Sequence, residues 1–287
     1  MKRTLMISLL GCTAAMLSGA YAQQDQTADT VRGVEERFVW VTPSRAIIGE
    51  DLVGERERAG TVKFLLIDVA DGDLIYALTS VGQAGQFAAV PWEALNADDL
   101  DDWKDGELQL NIPAERVEDA WRFDIEDIFR LTSPVFAAEA ADTYGVEIEA
   151  PAAEDTTMLV IGRELAGTVS PPATQVRNQI EGSSVVTSDG VEIGEITEIM
   201  VDMDQGKVPY VTISTGGFLG SDQSYLPVPP MALNWNAEGA QYSVERTAAE
   251  IEELPSLAGN TLTAFVSRSD LEQLYEFWGV DPYWTSP

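Results

Sequence analysis

Carboxylates are the only reactive side chains this sequence supplies in number. Asp68 and Asp202 stand at matching places, each closing an apolar run of β character. Such a carboxylate could hold a cation or meet a partner. The simpler reading is a strand-end Asp that bonds the amides of the following turn. Asp202-Met-Asp204-Gln-Gly206 starts like a calcium-binding loop, but Ile213 stands where that loop needs a bidentate Glu, so a hairpin is expected. Asp98, Asp99, Asp101 and Asp102 could hold Ca²⁺ or Mg²⁺ weakly, against the alternative of a solvated charged loop. Nucleophilic chemistry has little to draw on. The chain has no histidine, and Cys12 is its single cysteine. Ser-His and Cys-His pairs are absent, and so are the usual zinc ligand sets. A Ser-Lys pair would have to use Lys63, Lys104 or Lys207, none of which lies in a recognisable motif, and there is no glycine-rich phosphate loop. Paired carboxylates for sugar hydrolysis stay open, because their separation in space is not written in the sequence.

The charge balance narrows the partners. Seventeen basic residues face 48 acidic ones, a formal net charge of −31 over 287 residues. Such a surface repels nucleic acid and anionic headgroups. It suits basic partners, divalent cations or high salt; adaptation to brine and plain solubility are the two explanations for the excess. Apolar residues make up 45%, as in ordinary globular chains.

The N-terminus reads as a secretory signal. Lys2 and Arg3 precede an apolar core from Leu5 to Leu10 that continues weakly to Leu17, and Ala20-Tyr21-Ala22 offers a cleavage site after Ala22. The expectation is a periplasmic or secreted protein without a thiol. Leu9-Leu10-Gly11-Cys12 supports the alternative of an outer-membrane lipoprotein anchored at Cys12. No later run of about 18 apolar residues occurs, so stable membrane insertion is not expected.

The elements that must position these groups come in two copies. Gly60 to Asp68 aligns with Gly194 to Asp202 at an offset of 134, and Gly72, Tyr76, Ser80 and Gly82 fall on Gly206, Tyr210, Ser214 and Gly216. VPWEALN from Val90 aligns with VPPMALN from Val228 after four extra residues around Phe218 to Ser224, and Tyr144-Gly145-Val146 aligns with Trp278-Gly279-Val280. Matches in one order over this length indicate a duplicated domain. Each copy should begin with strands, at 61–69, 74–81 and 86–90 and again at 195–203, 207–215 and 225–228, with glycine turns between them. Each should end in helices. Val117, Trp121, Ile125, Ile128 and Phe129 recur at helical spacing; Thr247 with Glu250 and Ser269 with Glu272 read as capping boxes; Leu271, Leu274, Tyr275 and Trp278 line one face before Gly279. Met158 to Arg163 is an apolar run without a counterpart, suited to a strand that closes one copy or joins the two.

Ile48-Gly49, Gly60, the strand ending in Asp68, Tyr76 and VPWEAL together resemble the PRC-barrel family, named for the cytoplasmic domain of the photosynthetic reaction-centre H subunit; a ribosome-maturation factor carries a similar barrel. The second copy resembles it through Gly194, Asp202, Gly206, Tyr210, Gly216-Gly217-Phe218-Leu219-Gly220 and Val228-Pro229. It departs at Pro230, where Trp92 stands in the first copy, and the first departs at Gly82-Gln83-Ala84-Gly85. The resemblance implies a small β-barrel used for protein interaction, without catalysis or cofactors of its own.

The expected fold is mainly β (α+β), with two small PRC-type β-barrels each followed by short amphipathic helices. The expected layout is a signal peptide at 1–22, a flexible segment at 23–43, a first domain at 44–146, a linker with a possible extra strand at 147–176 and a second domain at 177–287. Gly60, Asp68, Gly72, Tyr76 and Pro91, with Gly194, Asp202, Gly206, Tyr210 and Pro229, define the repeat. Trp92, Phe218, Tyr283 and Trp284 are candidate partner contacts, since amphipathic aromatics serve interfaces; the alternative for the C-terminal pair is a tail that seals the second copy. The expected function is a non-catalytic, exported adaptor or scaffold at the bacterial cell envelope with an unknown protein partner and no nucleic acid. A low-affinity divalent-cation binder is the alternative, followed by a carboxylate-based hydrolase.

Overall fold

The computed structural model describes residues 38–55, 57–69, 71–95, 107–148, 158–162, 176–178, 180–215, 224–236, 241–254 and 264–285. The expected signal segment, Cys12, the Asp98–Asp102 cluster and Phe218 lie outside them.

The chain opens with β1 (Phe38–Pro43) and the single turn α1 (Ser44–Ile47). The first copy follows as β2 (Asp51–Gly54), β3 (Glu57–Asp68), β4 (Asp73–Ser80), β5 (Phe87–Pro91) and β6 (Glu107–Gln109). Its extension holds α2 (Glu115–Asp119), a 3₁₀ segment (Ile125–Thr132) and α3 (Pro134–Tyr144). Strands β7 (Met158–Ile161) and β8 (Val176–Asn178) lead to the second copy: β9 (Ser184–Val186), β10 (Glu192–Asp202), β11 (Lys207–Thr215), β12 (Ser224–Val228), β13 (Asn234–Asn236) and β14 (Gln241–Ser243). The chain continues through α4 (Ala248–Ile251), β15 (Ala264–Ser267), α5 (Arg268–Trp278) and a 3₁₀ turn (Tyr283–Thr285).

The pairings repeat between the copies. β3 pairs with β4 and β10 with β11, and both long strands carry a bulge at the same place, Lys63 and Thr197. A bulge adds an unpaired residue and bends the strand. The half of β3 before the bulge pairs with β2, and the half after it pairs with β7. Gly49 and Gly182 donate to the carbonyls of Val62 and Ile196, and β6 and β14 add in parallel beside β2 and β9. The strand order β14-β9-β10-β11-β4-β3-β2-β6 therefore reads the same from both ends, with β13 beyond β14.

The strand-rich fold with a few helices is as expected; of the two small barrels, the described pairings show one unclosed sheet that runs through both copies. Two physical causes join them. The hairpin tips exchange backbone bonds, Leu74 N to Gly206 O at 2.8 Å and Val208 N to Gly72 O at 2.7 Å. The lead-in strands also cross over. β1 precedes the first copy but pairs with β10 of the second, Val41 opposite Asp202, while β7 precedes the second copy and pairs with β3 of the first, Met158 opposite Asp68. One hydrophobic core follows, running from Leu52 and Leu65 through Ile199 and Tyr275.

The first extension departs from the single helix expected over Val117 to Phe129. α2 stops at Asp119, Phe123 bridges to Phe87, and the chain resumes as a 3₁₀ segment at Ile125. Ile125, Ile128 and Leu131 recur every three residues, the period of a 3₁₀ helix, so they share one face. Ile128 and Leu131 are buried there, while Trp121 and Phe129 are left exposed.

Candidate functional site

Three places combine chemistry with position: the junction of the hairpin tips, the buried carboxylates of β10, and the outer face of the first extension.

At the junction, Gly72 and Gly206 both take positive φ, +74° and +61°. Each is covered by the other copy. The Trp92 ring lies where a Cβ on Gly206 would stand, and Pro230 lies 3.4 Å from where one on Gly72 would. Trp92 and Pro230 are themselves equivalent, so what looks in the sequence like a departure from the pattern is one contact made twice. Lys207 pairs with Asp73 across the same tips. Trp92, proposed from sequence as a partner contact, is buried in this junction. Gly60 and Gly194 serve close approach, since a Cβ on either would run into the neighbouring strand at Ser80 or Ser214. Pro91 sits opposite Tyr76 at the end of β5, and Pro229 follows β12, where a missing N–H costs no ladder bond. Tyr76 and Tyr210 are core residues. The Tyr76 and Tyr144 hydroxyls are buried without a hydrogen-bond partner among the described residues, and burial pushes both pKa values up.

On β10, Asp202 is 2% exposed. It accepts from the turn amide of Gln205 at 3.2 Å, the strand-end arrangement expected of it, and from the Tyr283 hydroxyl at 2.7 Å. Burial raises its pKa against these bonds. Tyr275 donates to Pro209 O and Trp278 Nε1 to Pro227 O, fixing α5 on β11 and β12. Tyr283 is buried, and Trp284 packs half-buried on Tyr275 and under the Arg268 guanidinium at 4.8 Å. The aromatic end of the chain thus closes the second copy.

Glu198, four residues earlier on the strand, carries no sequence signal. It is 2% exposed and pairs at 2.7 Å with Arg45, which α1 delivers from the first copy. Its second oxygen has no hydrogen-bond partner among the described residues. Burial, partly offset by Arg45 and reinforced by Glu181, raises its pKa. The equivalent position in the first copy is Phe64.

The outer face of the first extension is different in kind. Trp121 is 40% exposed, Phe129 41% and Val135 68%. Trp121 stacks on Phe123 at 5.3 Å and meets Phe136 edge-on at 5.6 Å, with the Arg130 guanidinium over its ring. Scattered apolar residues are ordinary on a surface, and an aromatic cluster with one ring 40% exposed is less so.

The PRC-barrel domain model matches the chain twice, over residues 43–106 and 177–250. The chain carries two copies of the PRC-barrel domain, and both helical extensions lie largely or wholly beyond the matched segments. No curated protein matches the chain. Among the described residues no helix is long and apolar enough to cross a membrane, and no group of three or more acidic or other ligating side chains is placed to hold a metal ion.

Proposed function

We propose that the chain is a non-catalytic, exported PRC-barrel protein that binds another protein at the bacterial cell envelope as an adaptor or scaffold. One observation carries the reading: the aromatic face around Trp121 and Val135 is exposed on the first copy, while the equivalent helix of the second copy is polar outside. The chemistry of the chain supports it. There is no histidine, and two of the three buried carboxylates among the described residues are held by other side chains, Asp202 by Tyr283 and Glu198 by Arg45. In this reading the bulges at Lys63 and Thr197 bend each half toward the rolled sheet of a PRC barrel, and the 22 N-terminal residues direct export.

Affinity capture from envelope extracts tests the reading, using the full chain and a Trp121→Ser/Val135→Asp variant. The expected result is a discrete partner retained by the first and lost by the second. No partner retained by the first rejects it, and equal retention by both places the partner elsewhere on the chain. Mass analysis of the purified chain tests export separately: a chain starting at Gln23 is expected, and an intact Met1 in the cytoplasmic fraction contradicts it.

A further inference from the structure

We infer that the first extension, where Trp121, Phe129 and Val135 are exposed and Phe136 packs edge-on against Trp121, is a docking surface for a cationic amphipathic polypeptide segment, one with apolar side chains on one side flanked by Lys or Arg. This rests on the protein-binding reading above and adds the place and chemistry of the partner.

Position comes first. Among the described residues only four large apolar side chains are exposed, and three of them, Trp121, Phe129 and Val135, lie within fifteen residues on this extension. The aromatic group is held rigidly. Phe136 contacts the buried Tyr76 edge-on at 5.6 Å, Phe123 bridges to β5, and Ser133 caps α3 by accepting from the Val135 amide at 3.2 Å. A preset apolar face loses little entropy when it is covered.

Charge then selects the occupant. Between Glu115 and Tyr144 the extension carries three arginines against eight Asp and Glu, and Arg130 pairs with Asp127 and covers the Trp121 ring. Glu118, Asp124, Glu126 and Glu139 are exposed and form no ion pair among the described residues. The surroundings of the apolar group are thus net acidic, on a chain of net charge −31. A second copy of the chain would bring like charge, and anionic headgroups would be repelled. A basic segment with an apolar side satisfies both features.

The test uses the full chain and three synthetic helical peptides: one of Leu and Lys, one with the same Leu face and Glu for Lys, and one with Lys but Ser for Leu. Binding is followed by calorimetry at two salt concentrations. The expectation is saturable one-to-one binding of the Leu/Lys peptide that weakens with salt. Trp121→Ser and Val135→Asp should each cut its affinity roughly thirtyfold, the effect of losing an interface hot spot. Tyr225→Ser, at the remaining exposed aromatic, should leave it unchanged. Equal binding of the Lys/Ser peptide, or no effect of the two patch variants, overturns the assignment, as does patch-dependent self-association or patch-dependent binding to anionic vesicles. Envelope capture that survives the patch variants would instead show a partner held elsewhere, separating failure of this site from failure of the wider reading.

Discussion

α3 and α5 are the same helix built twice, and they use their side chains in opposite directions. Each has eleven residues, a serine N-cap and a left-handed glycine after its last turn, Gly145 at φ 73° and Gly279 at φ 70°. α5 turns Leu271, Leu274, Tyr275 and Trp278 inward and shows Ser269 and Glu272 to solvent. α3 turns Ala137, Ala140 and Tyr144 inward and leaves Val135 exposed. The first copy covers its sheet with less bulk from the helix and adds Ile128 and Leu131 from the 3₁₀ segment packed beside it. Apolar area outside a helix stabilises nothing within the chain. Its presence on α3 and not on α5 is the contrast on which the proposed docking surface rests.

The junction is the sharpest place to break the symmetry. Gly206→Ala puts a Cβ at positive φ and into the Trp92 ring, while Gly72→Ala meets only Val208 O at 3.2 Å and Pro230. The first should cost about 3 kcal/mol or more and the second about 1–2 kcal/mol, read as shifts in urea midpoint at constant m. Equal costs would mean that the Trp92 ring does not cover Gly206 in solution.

The tail gives the next effect. Tyr283→Phe leaves one oxygen of buried Asp202 without its donor and should destabilise by about 1–3 kcal/mol. No such loss would place the tail off the second copy in solution.

Glu198 has no ionisable counterpart in the first copy. Its pKa is raised, so the folded chain holds the proton to higher pH than the unfolded chain. That contribution to stability is present below about 4.5, the unfolded value, and is lost as pH rises through the folded value. Glu198→Gln should therefore be flatter with pH across that interval, from about 4.5 up through the folded value, and within about 1 kcal/mol of the parent, or more stable, near pH 8. A steeper profile in the variant would show that the Arg45 ion pair outweighs burial. The smallest effect belongs to Val135→Asp, which should change stability by less than about 0.5 kcal/mol because the side chain is exposed.

Much of the strand framework was legible because it is local. Runs of β-branched and apolar residues around Asp71-Gly72 and Gln205-Gly206 mark β3–β4 and β10–β11, and the duplication supports each from the other. Thr247 and Glu250 form the capping box expected of them, while the cap of α5 is Ser267 rather than Ser269. What stayed hidden is non-local. An apolar run such as Met158–Ile161 shows its strand character but not its partner, so the crossing of β1 and β7 between copies left no sequence mark. Arg45 and Glu198 lie 153 residues apart in the chain and meet only because of that crossing. Trp121 and Phe129 fitted a helical period, and the break at Ala120–Asp124 put them outside instead.

A photo-reactive amino acid placed at position 135 and, separately, at its equivalent 269 compares the two faces directly in living cells. The account predicts a discrete cross-linked partner from position 135 and none from 269. Adducts of equal yield from both positions, or from 269 alone, would contradict it.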